Sequence, residues 1–195
     1  MSHLVRRAGA AALVVAALAL GHVVTSAWPL EERTAAPFVR TGAVGAPVAL
    51  RYADVTAGPA TGSTVLQDAG TLLATPGIWL VVPLTVDAAG EPRRLGYAAV
   101  IGSDGRTYVA SGLRSRLALG LATPGIAHHG AVVVELPADA AVGARLHVAL
   151  EPWDQRADDL ADIDLGIAAD DVAAWSASSE ALRVPLPSDA PGDER

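Results

Sequence analysis

The apolar and polar positions divide the chain into an uninterrupted apolar run, a long region that alternates with a period of two, and an acidic end. From Ala8 to Leu30, 23 residues pass without an Asp, Glu, Lys or Arg. A helix over Ala8 to Ala27, rising about 1.5 Å per residue, reaches about 30 Å, the thickness of a bilayer's hydrocarbon core. His3, Arg6 and Arg7 precede the run and Glu31 and Glu32 follow it, so the positive-inside bias predicts one pass, with the N-terminus cytoplasmic and the C-terminal domain extracytoplasmic. The same residues fit a cleavable export signal: a basic start, an apolar stretch from Ala8 to Leu20, and small residues at Thr25 and Ala27 ahead of a cut near Ala27. Retention is favoured, because apolar character resumes at Val23-Val24 and Trp28 sits where an interfacial aromatic belongs. Both readings export the domain. Residues 1–27 are thus read as anchor or signal, and residues 28–46, with Pro29, Pro37, Gly42 and Gly45, as a linker.

From Val48 the period is two: Val48, Leu50 and Tyr52 alternate with Ala49, Arg51 and Ala53, as in a half-buried strand. Residues 57–64, Ala-Gly-Pro-Ala-Thr-Gly-Ser-Thr, contain turn formers and no large apolar side chain, and are read as a loop with a mobile tip. Ile78 to Val86 is apolar on both faces and predicts a central strand, with a bulge or edge position at Pro83, which cannot donate to a ladder. Tyr97 to Ile101, the turn Gly102-Ser-Asp-Gly105 and Thr107 to Ala110 predict a hairpin. Ala131 to Leu136 and Arg145 to Leu150 supply two more strands, and a last one is expected at Ile163 to Ile167. About seven short strands without a long helical pattern between them predict an all-β, antiparallel β-sandwich over residues 47–167. Beyond it, within residues 168–184, Asp170-Asp171 suit the N-terminus of a short helix with Val172 and Trp175 on one face, and residues 185–195 read as a disordered acidic tail.

Several segments give this region a family resemblance: Gly77-Ile-Trp-Leu-Val-Val-Pro-Leu-Thr-Val86, Asp104-Gly-Arg-Thr-Tyr108, Pro124-Gly125, Gly130-Ala-Val-Val-Val-Glu-Leu-Pro137 and Ile163-Asp-Leu-Gly166. In their order and spacing, from about Ala46 to Ile167, the chain resembles the telokin-like, immunoglobulin-fold domains of exported bacterial proteins, a family of unknown function that includes the immunoprotective extracellular protein. It departs from that pattern at Asp87-Ala88, where the family continues to an asparagine, and at Val134, where a phenylalanine is common. The resemblance implies an immunoglobulin-like sandwich displayed outside the membrane, and it brings no catalytic residues.

Composition narrows the function. The chain has 195 residues, enough beyond the apolar run for one core, and no cysteine, so neither a disulfide framework nor thiolate chemistry is available. Charge is uneven: residues 1–40 carry a net +2, residues 41–150 are neutral, and residues 151–195 carry −9. A neutral body with an acidic end offers no basic surface to phosphates, which excludes nucleic acid as an expected partner. The acidic end itself reads as a solvated, solubilising segment, or as a docking surface for a basic partner.

Candidate chemistry is sparse. His128, His129 and His147 are the histidines of the expected domain, and imidazole is the usual zinc ligand; adjacent strand residues face apart, so they are read as exposed turn histidines. Asp158, Asp159, Asp162 and Asp164 are hard oxygen donors, and Asp162-x-Asp164-x-Gly166 resembles half a calcium loop, but no bidentate Glu follows and a solvated loop is expected. No Gly-x-Ser-x-Gly turn occurs; Ser63 is a loop serine without an evident partner, and with no lysine in the chain no phosphate loop can end in one. Trp28, Trp79, Trp153 and Trp175 are assigned to core and interface ahead of sugar stacking. No catalytic, cofactor-binding or metal site is therefore assigned. The expectation is a non-enzymatic, membrane-tethered module held through residues 8–27 that binds a protein outside the membrane or serves as an accessory subunit of an envelope complex. The alternative is a secreted small-ligand carrier.

Overall fold

In the computed structural model of the chain, the described residues are 16–23, 36–68, 70–110, 116–156 and 158–189. The chain divides into two compact units, Met1–Ala36 and Pro37–Arg195. In the first, residues 16–23 are helical. No helix among the described residues is long and apolar enough to cross a membrane. The flanking parts of the expected span, residues 8–15 and 24–27, lie outside the described residues, as do 28–35 of the linker.

The second unit is a mainly β, two-sheet sandwich with minor helices. Its strands are β1 (Phe38–Ala43), β2 (Pro47–Ala49), β3 (Ala53–Ala57), β4 (Thr61–Asp68), β5 (Thr71–Ala88), β6 (Tyr97–Ile101), β7 (Thr107–Val109), β8 (Arg116–Ala118), β9 (His128–Leu136), β10 (Arg145–Ala149), β11 (Asp159–Asp164), β12 (Leu182–Arg183) and β13 (Ser188–Asp189), with helix α1 (Ala169–Ala177) between β11 and β12. One sheet runs β1-β11-β10-β6-β7. In the other, β5 pairs with β3 and β4 along one edge and with β9 along the opposite edge, and β2, β12, β8 and β13 extend it.

The central strand predicted over Ile78 to Val86 lies in β5. Ile78, Leu80, Val82, Leu84 and Val86 point into the inter-sheet core with Val100, Val132, Leu146 and Ile163. Trp79 and Val81 point the other way, into a second buried cluster with Leu66, Ala131 and Val133. Pro83 needs neither the bulge nor the edge position expected of it. Its carbonyl accepts the Gly58 N–H at 2.8 Å, so its missing donor faces residues 58–60, the break between β3 and β4, where no ladder bond is lost. The Asp-Gly hairpin is present as β6 and β7: Gly105 takes φ +75 and Asp104 Oδ1 accepts the Arg106 N–H.

Six further expectations are corrected. Phe38 to Ala43, assigned to the linker, form β1, which pairs in parallel with β11 from Phe38 opposite Asp159 to Ala43 opposite Asp164. The sandwich is therefore not wholly antiparallel, and β12 also pairs in parallel with β4. Val48 to Tyr52 is not one strand: Val48, Leu50 and Tyr52 are buried, but the chain turns there, with the Leu50 N–H on the Ala53 carbonyl. The last sandwich strand begins at Asp159 rather than Ile163. Finally, the expected disordered tail contains β13, whose Ser188 and Asp189 pair with His129 and His128; residues 190–195 lie outside the described ones.

The sixth correction concerns residues 57–64, expected as a loop, of which 61–64 belong to β4. Their small side chains suit a packing surface. A Cβ on Gly62 would lie 2.5 Å from Trp175 Cδ2 and Cε3, so only glycine admits the indole. Trp175 and Val172 form the apolar face of α1, as the pattern predicted, and Asp171 Oδ2 accepts the Ala168 N–H at the helix start. After α1 the chain turns round β4: the Ser63 hydroxyl donates to the Glu180 carbonyl at 2.6 Å and the Thr64 hydroxyl to that of Ser178 at 2.7 Å. Leu182 and Val184 then cover the Leu66–Trp79–Val81 cluster, and β13 closes on β9. Residues 178–189 thus strap the outer face of the β5 sheet.

Gly62→Ala is expected to destabilise the protein by about 1–3 kcal/mol through overpacking, and Trp175→Ala by about 2–4 kcal/mol through cavity formation. The double variant should fall short of the sum, because both changes act on one contact. Urea midpoints of the three variants measure this, and strict additivity would show that α1 does not dock on Gly62.

Candidate functional site

The three histidines do not converge. His128 and His129 lie in β9, opposite Val86 and Thr85 of β5, so their side chains leave opposite faces of the sheet. Neither is in a turn, and His128 is buried. Its Nε2 accepts the Gly120 N–H at 2.8 Å, which leaves Nδ1 as the protonated nitrogen facing Asp189 Oδ1. A Cβ on Gly120 would sit 2.7 Å from the ring, so this glycine is what lets the imidazole in. Asp189 was assigned to the disordered tail; nothing in its local sequence announces a partner 61 residues away. His129 Nδ1 is 3.0 Å from Thr85 Oγ1, a cross-strand pair without a carboxylate on the other ring nitrogen among the described residues, and so without the third group that orients a catalytic base. His147 stands in β10, in the other sheet, with Nε2 3.3 Å from Asp162 Oδ1; burial lowers its pKa below the usual histidine value, against the opposing pull of Asp162.

The four aspartates are not a solvated loop. Asp159, Asp162 and Asp164 belong to β11, Asp158 precedes it, and each is matched to arginine. Arg51 Nη2 lies 2.9 Å from Asp158 Oδ1 and 2.8 Å from Oδ2, with Nε 3.2 Å from Oδ1. The buried Asp159 accepts the Arg51 backbone N–H at 2.7 Å and Arg40 Nε at 3.3 Å, while its carbonyl accepts the Tyr52 hydroxyl at 2.8 Å. That arrangement stops β2 at Ala49, turns the chain at Arg51, and holds the phenol where burial pushes its pKa up. Arg145 Nε donates to Asp162 Oδ1 at 2.6 Å, and its Nη1 lies 3.8 Å from Asp164 Oδ2. Among the described residues no three His, Cys, Asp or Glu side chains gather as a metal site.

Ser63 is also a structural group, buried in β4 with its hydroxyl on the strap. Trp79 is fully buried, with Nε1 donating to the Leu73 carbonyl at 3.0 Å, and Trp175 packs on the core. Trp28 lies outside the described residues. Trp153 is not a core residue: it is 93% exposed. It borders a cavity of about 360 Å³ on the outer face of the β1–β7 sheet, with Val39, Tyr97, His147 and Leu160. Asp154 at the rim is paired with Arg156 through two 2.8 Å bonds, which hold its pKa at about 2. Two more open depressions, about 690 and 680 Å³, lie beside Thr75 and Glu135 and beside Trp175 and Leu182. In the former, Thr75 donates to Glu135 Oε1.

No protein-family model matches the chain, and no curated protein matches it. Among solved structures the chain is similar to an uncharacterized β-sandwich protein of Clostridium difficile 630, at 8% identity and a TM-score of 0.45, over 67% of this chain and 96% of that one.

Because burial holds His147 below its ordinary pKa of 6.5, the unfolded chain takes up this proton first as the pH falls. The contribution of His147 to stability is complete above about pH 6.5 and is lost as the pH drops below it. Unfolding midpoints measured from pH 7.5 to 5 are expected to decline, and His147→Gln should flatten that decline. Tyr52→Phe, which removes the hydroxyl from the Asp159 carbonyl, should cost about 1 kcal/mol.

Proposed function

We propose that the chain is a non-enzymatic, extracytoplasmic module of the telokin-like, immunoglobulin-fold kind, tethered to the membrane through residues 8–27, and that it docks on another protein through β1. The observation that supports this reading is an asymmetry of cover. On the β5 sheet, β12 lies along β4, β8 and β13 lie along β9, and the strap crosses the outer face. On the other sheet, β1 pairs with β11 alone among the described strands, and is exposed along nearly its whole length, with Phe38 60% and Val39 51% accessible. The other strands with a single described partner, β2, β7, β8, β12 and β13, have two or three residues each, and β2 opens with Pro47. A six-residue edge without Lys or Pro is a template for strand addition, in which backbone bonds give affinity and alternate side chains give specificity.

The absence of an assembled nucleophile and base among the described residues supports a binding role over a catalytic one. The runner-up, a secreted small-ligand carrier, draws support from the cavity at Trp153 and not from the sandwich interior, where the facing strands are filled by aliphatic side chains.

A photo-crosslinking residue at Val39 in living cells is expected to give one dominant protein adduct, while the same residue at Asp87, exposed on the other sheet, gives none. Mass spectrometry of the adduct should also recover the uncut peptide through residue 27. No adduct at Val39 sinks strand addition at β1; an N-terminus at Trp28 sinks the tether and favours the carrier.

A further inference from the structure

We propose that the cavity beside Trp153 is a binding site for a neutral pyranose sugar. The proposal does not rest on the tether or on a protein partner, although Val39 of β1 belongs both to the cavity wall and to the proposed docking edge.

The base of the cavity is the outer face of the β1–β7 sheet. Leu160, opposite Ala149, and Tyr97, opposite the same residue, bring β11 and β6 to either side of β10, which contributes His147. Trp153, in the connection between β10 and β11, supplies an aromatic surface that is almost wholly open to water. An indole of this size is ordinarily buried for its apolar area, and two of the three described tryptophans of this chain are packed. Left exposed at the lip of a cavity, the ring is a platform for the C–H face of a sugar ring, whose hydroxyls then project sideways to polar neighbours.

Those neighbours are Asp154, Gln155 and Arg156. Asp154 and Arg156 form a two-pronged ion pair, so the rim offers several hydrogen-bonding atoms with mutually cancelled charge. His147 adds no charge at neutral pH, since burial favours its uncharged form. A phosphate or carboxylate ligand would have to compete with Asp154 for the guanidinium, and an ammonium ligand with Arg156 for the carboxylate. A wholly apolar ligand would strip water from the rim without replacing its hydrogen bonds. A neutral polyol with one apolar face meets neither obstacle. The volume, about 360 Å³, falls at the small end of ligand pockets, which span about 300–1,000 Å³, and suits one or two sugar rings.

Saturation-transfer difference NMR on the full chain in lauryldimethylamine oxide micelles, a detergent without a sugar headgroup, tests the site. The probes are methyl α-glucoside, cellobiose and N,N′-diacetylchitobiose at millimolar concentration, with glucose 6-phosphate as the anionic control. Transfer to the ring C–H protons of at least one neutral sugar is expected. Affinity should fall about tenfold or more in Trp153→Ala, the scale of one lost aromatic stack, and partly recover in Trp153→Phe. Because Trp153 is exposed, its removal should leave the melting temperature unchanged, which separates lost binding from lost fold. No transfer to any neutral sugar, equal binding by Trp153→Ala, or tighter binding of glucose 6-phosphate would overturn the proposal.

Discussion

The sandwich depends on the fact that neither face of β5 can be left in water. Its eighteen residues place Ile78, Leu80, Val82, Leu84 and Val86 on one side and Trp79 and Val81 on the other. The first set is covered as in any two-layer fold, by the β1–β7 sheet. The second has no third layer, and the chain supplies one from its own C-terminal segment, in which Leu182 and Val184 close over Trp79, Val81 and Val133. Strand pairings of two residues, such as β12 and β13, are too short to persist on hydrogen bonds alone. They are held by this apolar cover, by the Ser63 and Thr64 hydroxyls at one end, and by the buried His128 facing Asp189 at the other.

The parts of the fold legible in the sequence are those whose cause is local. The double apolar character of β5, the Asp-Gly turn between β6 and β7, and the acidic start of α1 are each written within a few adjacent residues, and each element formed where its signal lay. The parts misread have distant causes. β1 contains the polar run Arg-Thr-Gly after two apolar residues, and becomes a strand because β11, 121 residues later, offers a parallel edge and Asp159 for Arg40. Gly62-Ser63-Thr64 read as a loop because small residues usually mark turns; here they are small to receive Trp175 and to hydrogen-bond the strap, neither of which a local pattern can reveal.

The same distinction applies to the candidate sites. The spacing of Asp158, Asp159, Asp162 and Asp164 suggested cation ligands, and the cations they meet are guanidinium groups from positions 40, 51 and 145. Exposed members of such pairs contribute only about 0–1 kcal/mol each. The buried Asp159 matters more, because its carboxylate also fixes the backbone of Arg51 and, through its carbonyl, Tyr52, and so sets the turn between β2 and β3. His128, read as a surface residue, is an internal hydrogen-bonding group whose two ring nitrogens join the segment at Gly120 to the strap. A titratable residue in a strand thus served architecture, and residue type alone could not distinguish that use from ligation.

Cover and charge together bear on where the proposed recognition would fall. One sheet has its outer apolar cluster sealed and its long edges occupied by β8, β12 and β13. A partner there would have to displace a segment that is already hydrogen-bonded and packed, losing those contacts before gaining its own. The opposite sheet presents a six-residue edge and an indole in the open, beside acidic groups whose charge is balanced by arginine. Binding on that side buries apolar area without first breaking an intramolecular contact and without desolvating an unpaired charge, the two costs that most often cancel an interface's gain. The closure of one face by the strap is therefore what favours placing the proposed association on the other.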